Sequence, residues 1–119
     1  MVNFKYLNVR IVNRVGWIEY NRPSINAFNW EMLREVPAAL ETFLKNPEAR
    51  IIVIGSAIEK YFSTGADIRV FDGIDAKGIG KWVSICHDIE YENAVKLAGT
   101  KDFSEGIQAF LEKRKPDWD

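Results

Sequence analysis

The first twenty residues alternate between apolar and polar positions. Phe4, Tyr6 and Asn8 fall on one side of an extended chain, and Lys5, Leu7 and Val9 on the other. A second extended run follows over Val15–Tyr20, after the polar pair Asn13-Arg14. The pattern predicts two antiparallel strands joined near Asn13. Arg22-Pro23 ends the second strand, because proline has no N–H to give to a ladder. The period then becomes helical from about Asn29 to Lys45, where Trp30, Leu33, Val36, Leu40, Phe43 and Leu44 recur. Pro37 lies inside this pattern and is expected to kink the helix or remove one backbone bond. Asn46-Pro47 stops it. The run Arg50–Gly55, RIIVIG, is short, unbroken and β-branched, which predicts a strand buried on both faces.

A loop over Ser56–Asp67 follows, with small residues at its end, then a short helical turn at Ile68–Phe71. Asp72, Gly73, Asp75, Gly78 and Gly80 form a breaker-rich stretch that predicts a mobile loop. Two helices close the chain. Lys81–Leu97 sets Trp82, Ile85, Ile89 and the pair Ala94/Val95 toward one side, and Gly99 can end it as a left-handed cap. In the last helix, Asp102 and Glu105 are spaced as a capping box, and Ile107, Phe110 and Leu111 make an apolar stripe before Pro116. The fold class is therefore α/β: a ββαβ part over 1–75 and a helical part over 76–119, in a single domain.

Composition narrows the function. The chain has 119 residues, enough to bury a core without metal or disulfide staples. Sixteen basic and seventeen acidic side chains leave a net charge of −1, which gives no electrostatic case for nucleic acid or an anionic membrane surface. One cysteine, Cys86, excludes an intramolecular disulfide. With one histidine, His87, it is too little for a usual structural zinc site, so no metal is expected. Cys86 and His87 are neighbours, about 100° apart on a helix, and do not make a nucleophile–base pair by themselves. Trp17, Trp30, Trp82 and Trp118 suit core and interface positions. No apolar run is long enough to span a bilayer. The residues Met1–Tyr6 show no secretory pattern, and the expected compartment is the cytoplasm.

The segment most suggestive of chemistry is Tyr61-Phe62-Ser63-Thr64-Gly65-Ala66-Asp67, between a strand and a helical turn. Gly65 and Ala66 lack bulk and leave their backbone N–H groups open to close approach. Amides at such a junction can hold a carbonyl oxygen that gains negative charge. Asp67 can cap the turn that follows. From the residue types alone, the block is also readable as a plain tight turn.

Asn21-Arg22-Pro23-Ser24-Ile25-Asn26-Ala27-Phe28, then RIIVIG, then FSTGADI resemble, in order and spacing, the N-terminal part of the enoyl-CoA hydratase/isomerase (crotonase) superfamily. The run from Thr100 to Pro116 is similar to the C-terminal signature of that superfamily. The resemblance implies a spiral of ββα units followed by helices, of which this chain holds one crotonase-like ββαβ unit. It implies binding of acyl-CoA thioesters, with coenzyme A entering as part of the substrate and no separate cofactor. The thioester carbonyl lies between two amides, one of them the N–H of Ala66, which Gly65 makes approachable. Ser24, Ile25, Ala27, Ser63, Thr64 and Asp67 are the residues expected to bind the substrate and its coenzyme A. Members are trimers or dimers of trimers, so a homo-oligomer is expected.

The departure from the pattern matters as much. Superfamily members are roughly twice this length, and the missing part is central, between about His87 and Lys96. There the family carries a glycine-rich segment with the second amide and, in hydratases, two catalytic glutamates. Glu59, Glu90 and Glu92 are present here, but no motif aligns them with that pair. Hydration needs one carboxyl group to activate water and one to deliver a proton. The expectation is a thioester-binding chain with weak or no hydratase activity alone. The alternatives are a non-catalytic oligomerisation or interaction module and a piece of a longer enzyme.

Overall fold

Asn13 and Arg14 both adopt positive φ, 51° and 67°. A two-residue turn of this hand twists in the same sense as the strands it joins. Through it β1 (Leu7–Val12) and β2 (Val15–Tyr20) pair antiparallel, with Val12 opposite Val15 and Leu7 opposite Tyr20. The computed structural model describes residues 3–118, and the side chains at 92–94 and 96–98 stand outside that description. Ala94, predicted on the apolar side of its helix, is among these. In β2 the alternation is clear: Gly16, Ile18 and Tyr20 are buried.

α1 (Trp30–Leu44) begins where Asn29 caps it, its Oδ1 accepting from the Met32 N–H at 2.8 Å. The helix runs unbroken through Pro37 and buries Met32, Leu33, Val36, Ala39, Leu40 and Phe43. This face and Ile18 of β2 form the core. β3 (Ile51–Ser56) pairs parallel with β2, Val15 beside Ile51 and Tyr20 beside Ser56, and the sheet order is β1-β2-β3. The expectation of a strand buried on both faces fails here. Among the described residues β3 has a strand neighbour on one side only, and Ile51 and Ile54 are 39% and 37% exposed. An apolar run reports the demand for cover, not whether a further strand supplies it.

A single 3₁₀ turn, Ile68–Phe71, stands where the sequence predicts it. The breaker-rich stretch is a loop only in its first part, because α2 (Ala76–Ala98) already includes Gly78 and Gly80. Asp75 accepts from the Gly78 N–H at 2.8 Å. Such a cap is worth about 1 kcal/mol and offsets a helical glycine of about the same cost. Trp82 of α2 packs edge-on against Trp30 and Phe71, ring centroids 5.0 and 5.5 Å apart. α3 (Lys101–Leu111) is capped by Thr100, whose Oγ1 accepts from the Phe103 N–H at 3.1 Å. Asp102 therefore lies within the first turn and is not the cap. Glu105 instead holds both Nη atoms of Arg114 at 2.8 and 2.9 Å and the Asp117 N–H at 2.7 Å. Arg114 first, and then that N–H, hold the Glu105 carboxyl down to about 2.

The chain clusters into two compact units, Met1–Cys86 and His87–Asp119, with the division inside α2. The first holds the sheet, α1 and the 3₁₀ turn. In the second, Phe103, Ile107, Phe110 and Leu111 of α3 are exposed and Ala109 is buried. His87 is exposed and stacks on Tyr91, one helical turn along; Cys86 is half-buried. Among the described residues, no helix is long and apolar enough to cross a membrane.

Candidate functional site

Tyr20 and Ser56 are neighbours in the parallel ladder, at the C-terminal ends of β2 and β3. The chain leaves them in two loops, 21–29 and 57–67, and Asn26 ties these together. Asn26 is wholly buried. Its Nδ2 donates to the Tyr20 carbonyl at 3.2 Å, the Ser56 Oγ at 2.9 Å and the Phe62 carbonyl at 3.0 Å. Its Oδ1 accepts from the Arg22 N–H at 2.8 Å. Its φ is +53°, a left-handed conformation that asparagine tolerates better than most residues. Ser63 Oγ donates to the Asn26 carbonyl at 2.8 Å, and the Thr64 N–H to the Ile25 carbonyl at 3.3 Å.

A second tie lies two residues further along each loop. Phe28 and Ala66 form a parallel β-bridge. The Phe28 N–H donates to the Gly65 carbonyl and the Asp67 N–H to the Phe28 carbonyl, both at 2.8 Å. A bridge in this register uses the groups that flank Ala66 and turns the N–H of Ala66 away from Phe28. Among the described residues, that N–H meets no acceptor. Gly65 makes the path possible, with φ at +91°. A Cβ there has nothing within 4 Å, so the requirement for glycine is conformational and not one of space.

Beside this junction lies an open cavity of about 600 Å³, within the range of small-molecule sites. The sequence-predicted residues Ser24, Ile25, Ala27, Thr64, Ala66 and Asp67 all line it. Ser63 and Gly65 do not: Ser63 turns to Asn26, and Gly65 serves as backbone to the bridge. Arg22, Pro23, Ile68 and Arg69 complete the lining, and sequence reasoning missed them as site residues.

The two arginines converge on Asp67. Arg22 Nη1 donates to the Ala27 carbonyl at 2.7 Å and to Asp67 Oδ2 at 3.0 Å. Arg69 donates through Nε to Oδ1 at 2.9 Å and through Nη2 to Oδ2 at 2.7 Å. Asp67 also caps the 3₁₀ turn, Oδ1 accepting from the Arg69 N–H at 3.1 Å. The Arg69 guanidinium first holds the Asp67 carboxyl well below the usual carboxylate range; burial opposes this, and Arg22 adds to the lowering. Two cations on one carboxylate leave a net positive wall. A faint signal existed in the Asp-x-Arg spacing of 67 and 69, but nothing in the sequence places Arg22, forty-five residues earlier, against the same carboxylate.

Because the folded carboxyl titrates below the unfolded one, its stabilisation is full above a pH of about 4, the unfolded value. It is lost as the pH falls from there through the folded value. Asp67→Asn is accordingly expected to lower the melting temperature at pH 7, with the gap to wild type closing below a pH of about 4. A gap of equal size at pH 3 and pH 7 refutes the ionic role of Asp67.

A family profile described as enoyl-CoA hydratase/isomerase matches residues 10–79, which contain the hairpin turn, α1, β3 and both loops of the site. A probable enoyl-CoA hydratase of Rhizobium meliloti (strain 1021) is 34% identical over 93 residues, covering 72% of this chain and 36% of that protein. The mitochondrial 3-hydroxyisobutyryl-CoA hydrolase of Danio rerio is 39% identical over 59 residues, covering 49% of this chain and 15% of its own. Among solved structures, an enoyl-CoA hydratase of Geobacillus kaustophilus HTA426 superposes with a TM-score of 0.70 at 23% identity. That alignment covers 74% of this chain and 33% of the other. An enoyl-CoA hydratase of Bacillus anthracis gives 0.66 at 23%, covering 71% and 34%. The chain thus spans about a third of the first of these relatives and of both solved structures. With the profile covering more than half of its residues and the fold shared with solved hydratases, the chain belongs to the enoyl-CoA hydratase/isomerase family.

Proposed function

We propose that the chain binds acyl-CoA thioesters in the cavity beside the Phe28–Ala66 bridge, with the Ala66 N–H donating to the thioester oxygen. The observation that carries this reading is the Ala66 amide: it borders the cavity, and among the described residues the bridge register leaves it no acceptor. An amide donor raises the electrophilicity of a thioester by stabilising negative charge on its oxygen. Arg22 and Arg69 supply a second match. Asp67 takes up Nε and Nη2 of Arg69, and among the described residues its Nη1 has no partner. The positive wall suits the phosphates of coenzyme A.

The same geometry argues for binding and polarisation over hydration. Asp67 is the one carboxylate among the residues that line the cavity. Two guanidinium groups hold it ionised, whereas a general acid needs a pKa near the working pH. A second reading, an interaction or oligomerisation module, is favoured by the exposed stripe of α3, where Phe110 and Leu111 are 82% and 70% exposed.

Calorimetric titration with a short acyl-CoA, against free coenzyme A, separates the two readings. Saturable binding with preference for the thioester supports the first. No binding, together with light scattering above the monomer value, supports the second. A monomer that binds neither compound ends both.

A further inference from the structure

We infer that Asn26 is a positioning residue: it sets the direction of the Ala66 amide without touching the ligand. The inference rests on the reading of Ala66 as the thioester donor. Asn26 does not line the cavity. Its one side chain nevertheless joins the ends of β2 and β3 to both loops, through Tyr20, Ser56, Phe62 and Arg22. Its carbonyl accepts from Ser63, three residues before Ala66.

The chemistry restricts what can stand there. The position demands two N–H donors shared among three oxygen acceptors and an acceptor toward one N–H, all on a short side chain at positive φ. Asparagine supplies both polarities. Aspartate has the same shape and keeps the acceptor, but it turns a second oxygen toward the Tyr20 and Phe62 carbonyls. Leucine, valine or threonine meets the φ penalty as well. With the Nδ2 bonds removed, the Phe62 carbonyl loses its tie to the first loop, and the Ser56 Oγ bond to the Tyr61 carbonyl is left to hold that loop to β3. The Ala66 N–H is then directed by the Phe28–Ala66 bridge and the Ser63 and Thr64 bonds to the first loop, without the anchor of both loops on the strand ends.

The test uses the whole chain as wild type, Asn26→Asp and Asn26→Gly. Asn26→Gly removes the whole side chain, permits the positive φ and introduces no charge, so it decides the matter if the aspartate variant does not fold. Two readouts are taken. The first is the ¹⁵N–¹H amide signals of Gly65, Ala66 and Asp67 in the free protein, with those of Leu33, Val36 and Leu40 in α1 as reference. The second is the ratio of dissociation constants for free coenzyme A and a cinnamoyl thioester of it, with the red shift of the bound chromophore at saturation. A general loosening of the loop weakens both ligands alike and leaves the ratio unchanged; a misdirected amide lowers the ratio.

The expected result is that the 65–67 signals move while the α1 signals hold. The ratio falls about fivefold in Asn26→Asp, the worth of one ordinary hydrogen bond, and the red shift shrinks. Asn26→Gly changes the same quantities in the same direction. Folded variants with unmoved 65–67 signals and an intact ratio overturn the role of Asn26 alone. A wild type with no thioester preference overturns the reading of Ala66, and this inference with it.

Discussion

Ala66→Pro is expected to remove the preference for a short acyl-CoA over free coenzyme A, a loss of about fivefold in Kd. Any turnover of the thioester is expected to fall by about a hundredfold or more, because a donor to a developing oxyanion is worth more than one to a neutral carbonyl. Proline at this position spares the bonds of the bridge. The bridge between the two loops is made by the N–H and carbonyl of Phe28, the Gly65 carbonyl and the Asp67 N–H. The N–H that proline deletes takes part in none of these bonds. Gly65, which precedes it, escapes much of the steric restriction that proline places on the residue before. Ala66→Ser keeps the amide and is the matching control. Titration of the three proteins with both ligands, beside their melting curves, decides the question. A stable proline variant that still prefers the thioester shows that the oxygen lies elsewhere.

The elements closest to legible in the sequence are those whose signals are local. The Asn13-Arg14 turn, the Asn29 cap with the face from Met32 to Phe43, and the Asp67-capped 3₁₀ turn each depend on residues a few positions apart. The site was legible as two motif blocks, and six of the eight residues taken from them line the cavity. What stayed hidden depends on distance along the chain. Asn26 reaches Ser56 and Phe62, thirty and thirty-six residues on. Arg22 reaches Asp67 across forty-five. Neither partner is visible until the parallel ladder brings the ends of β2 and β3 together. The exposed flank of β3 was hidden for a different reason, since hydropathy states a preference and the sheet decides whether it is met. At α2 and α3 the misreadings were of caps: Asp75 and Thr100 outweighed the glycines and the Asp102–Glu105 spacing.

The largest stability effect is expected at Phe43. Its ring is 2% exposed and lies at the end of α1 remote from the Asn29 cap and the loops of the site. Gly16 of β2 faces it so closely that a Cβ there meets three ring atoms at 2.9, 3.0 and 3.1 Å. The missing side chain of Gly16 is therefore part of the packing: it is the hollow that receives the ring. Phe43→Ala empties this hollow and is expected to cost about 3–5 kcal/mol, a large share of the 5–15 kcal/mol of an ordinary domain. Gly16→Ala overfills it, at about 1–3 kcal/mol. The two changes touch the same space from opposite sides, so their effects cannot add. In the double variant the new methyl group enters the volume the ring has left. Its loss in urea denaturation is expected to be smaller than the sum of the two single losses. Strict additivity shows that Gly16 and Phe43 do not share a packing site. The ratio of thioester to coenzyme A binding is expected to hold in every variant that stays folded, because the hollow lies beneath the sheet and the helix end, away from the Phe28–Ala66 bridge.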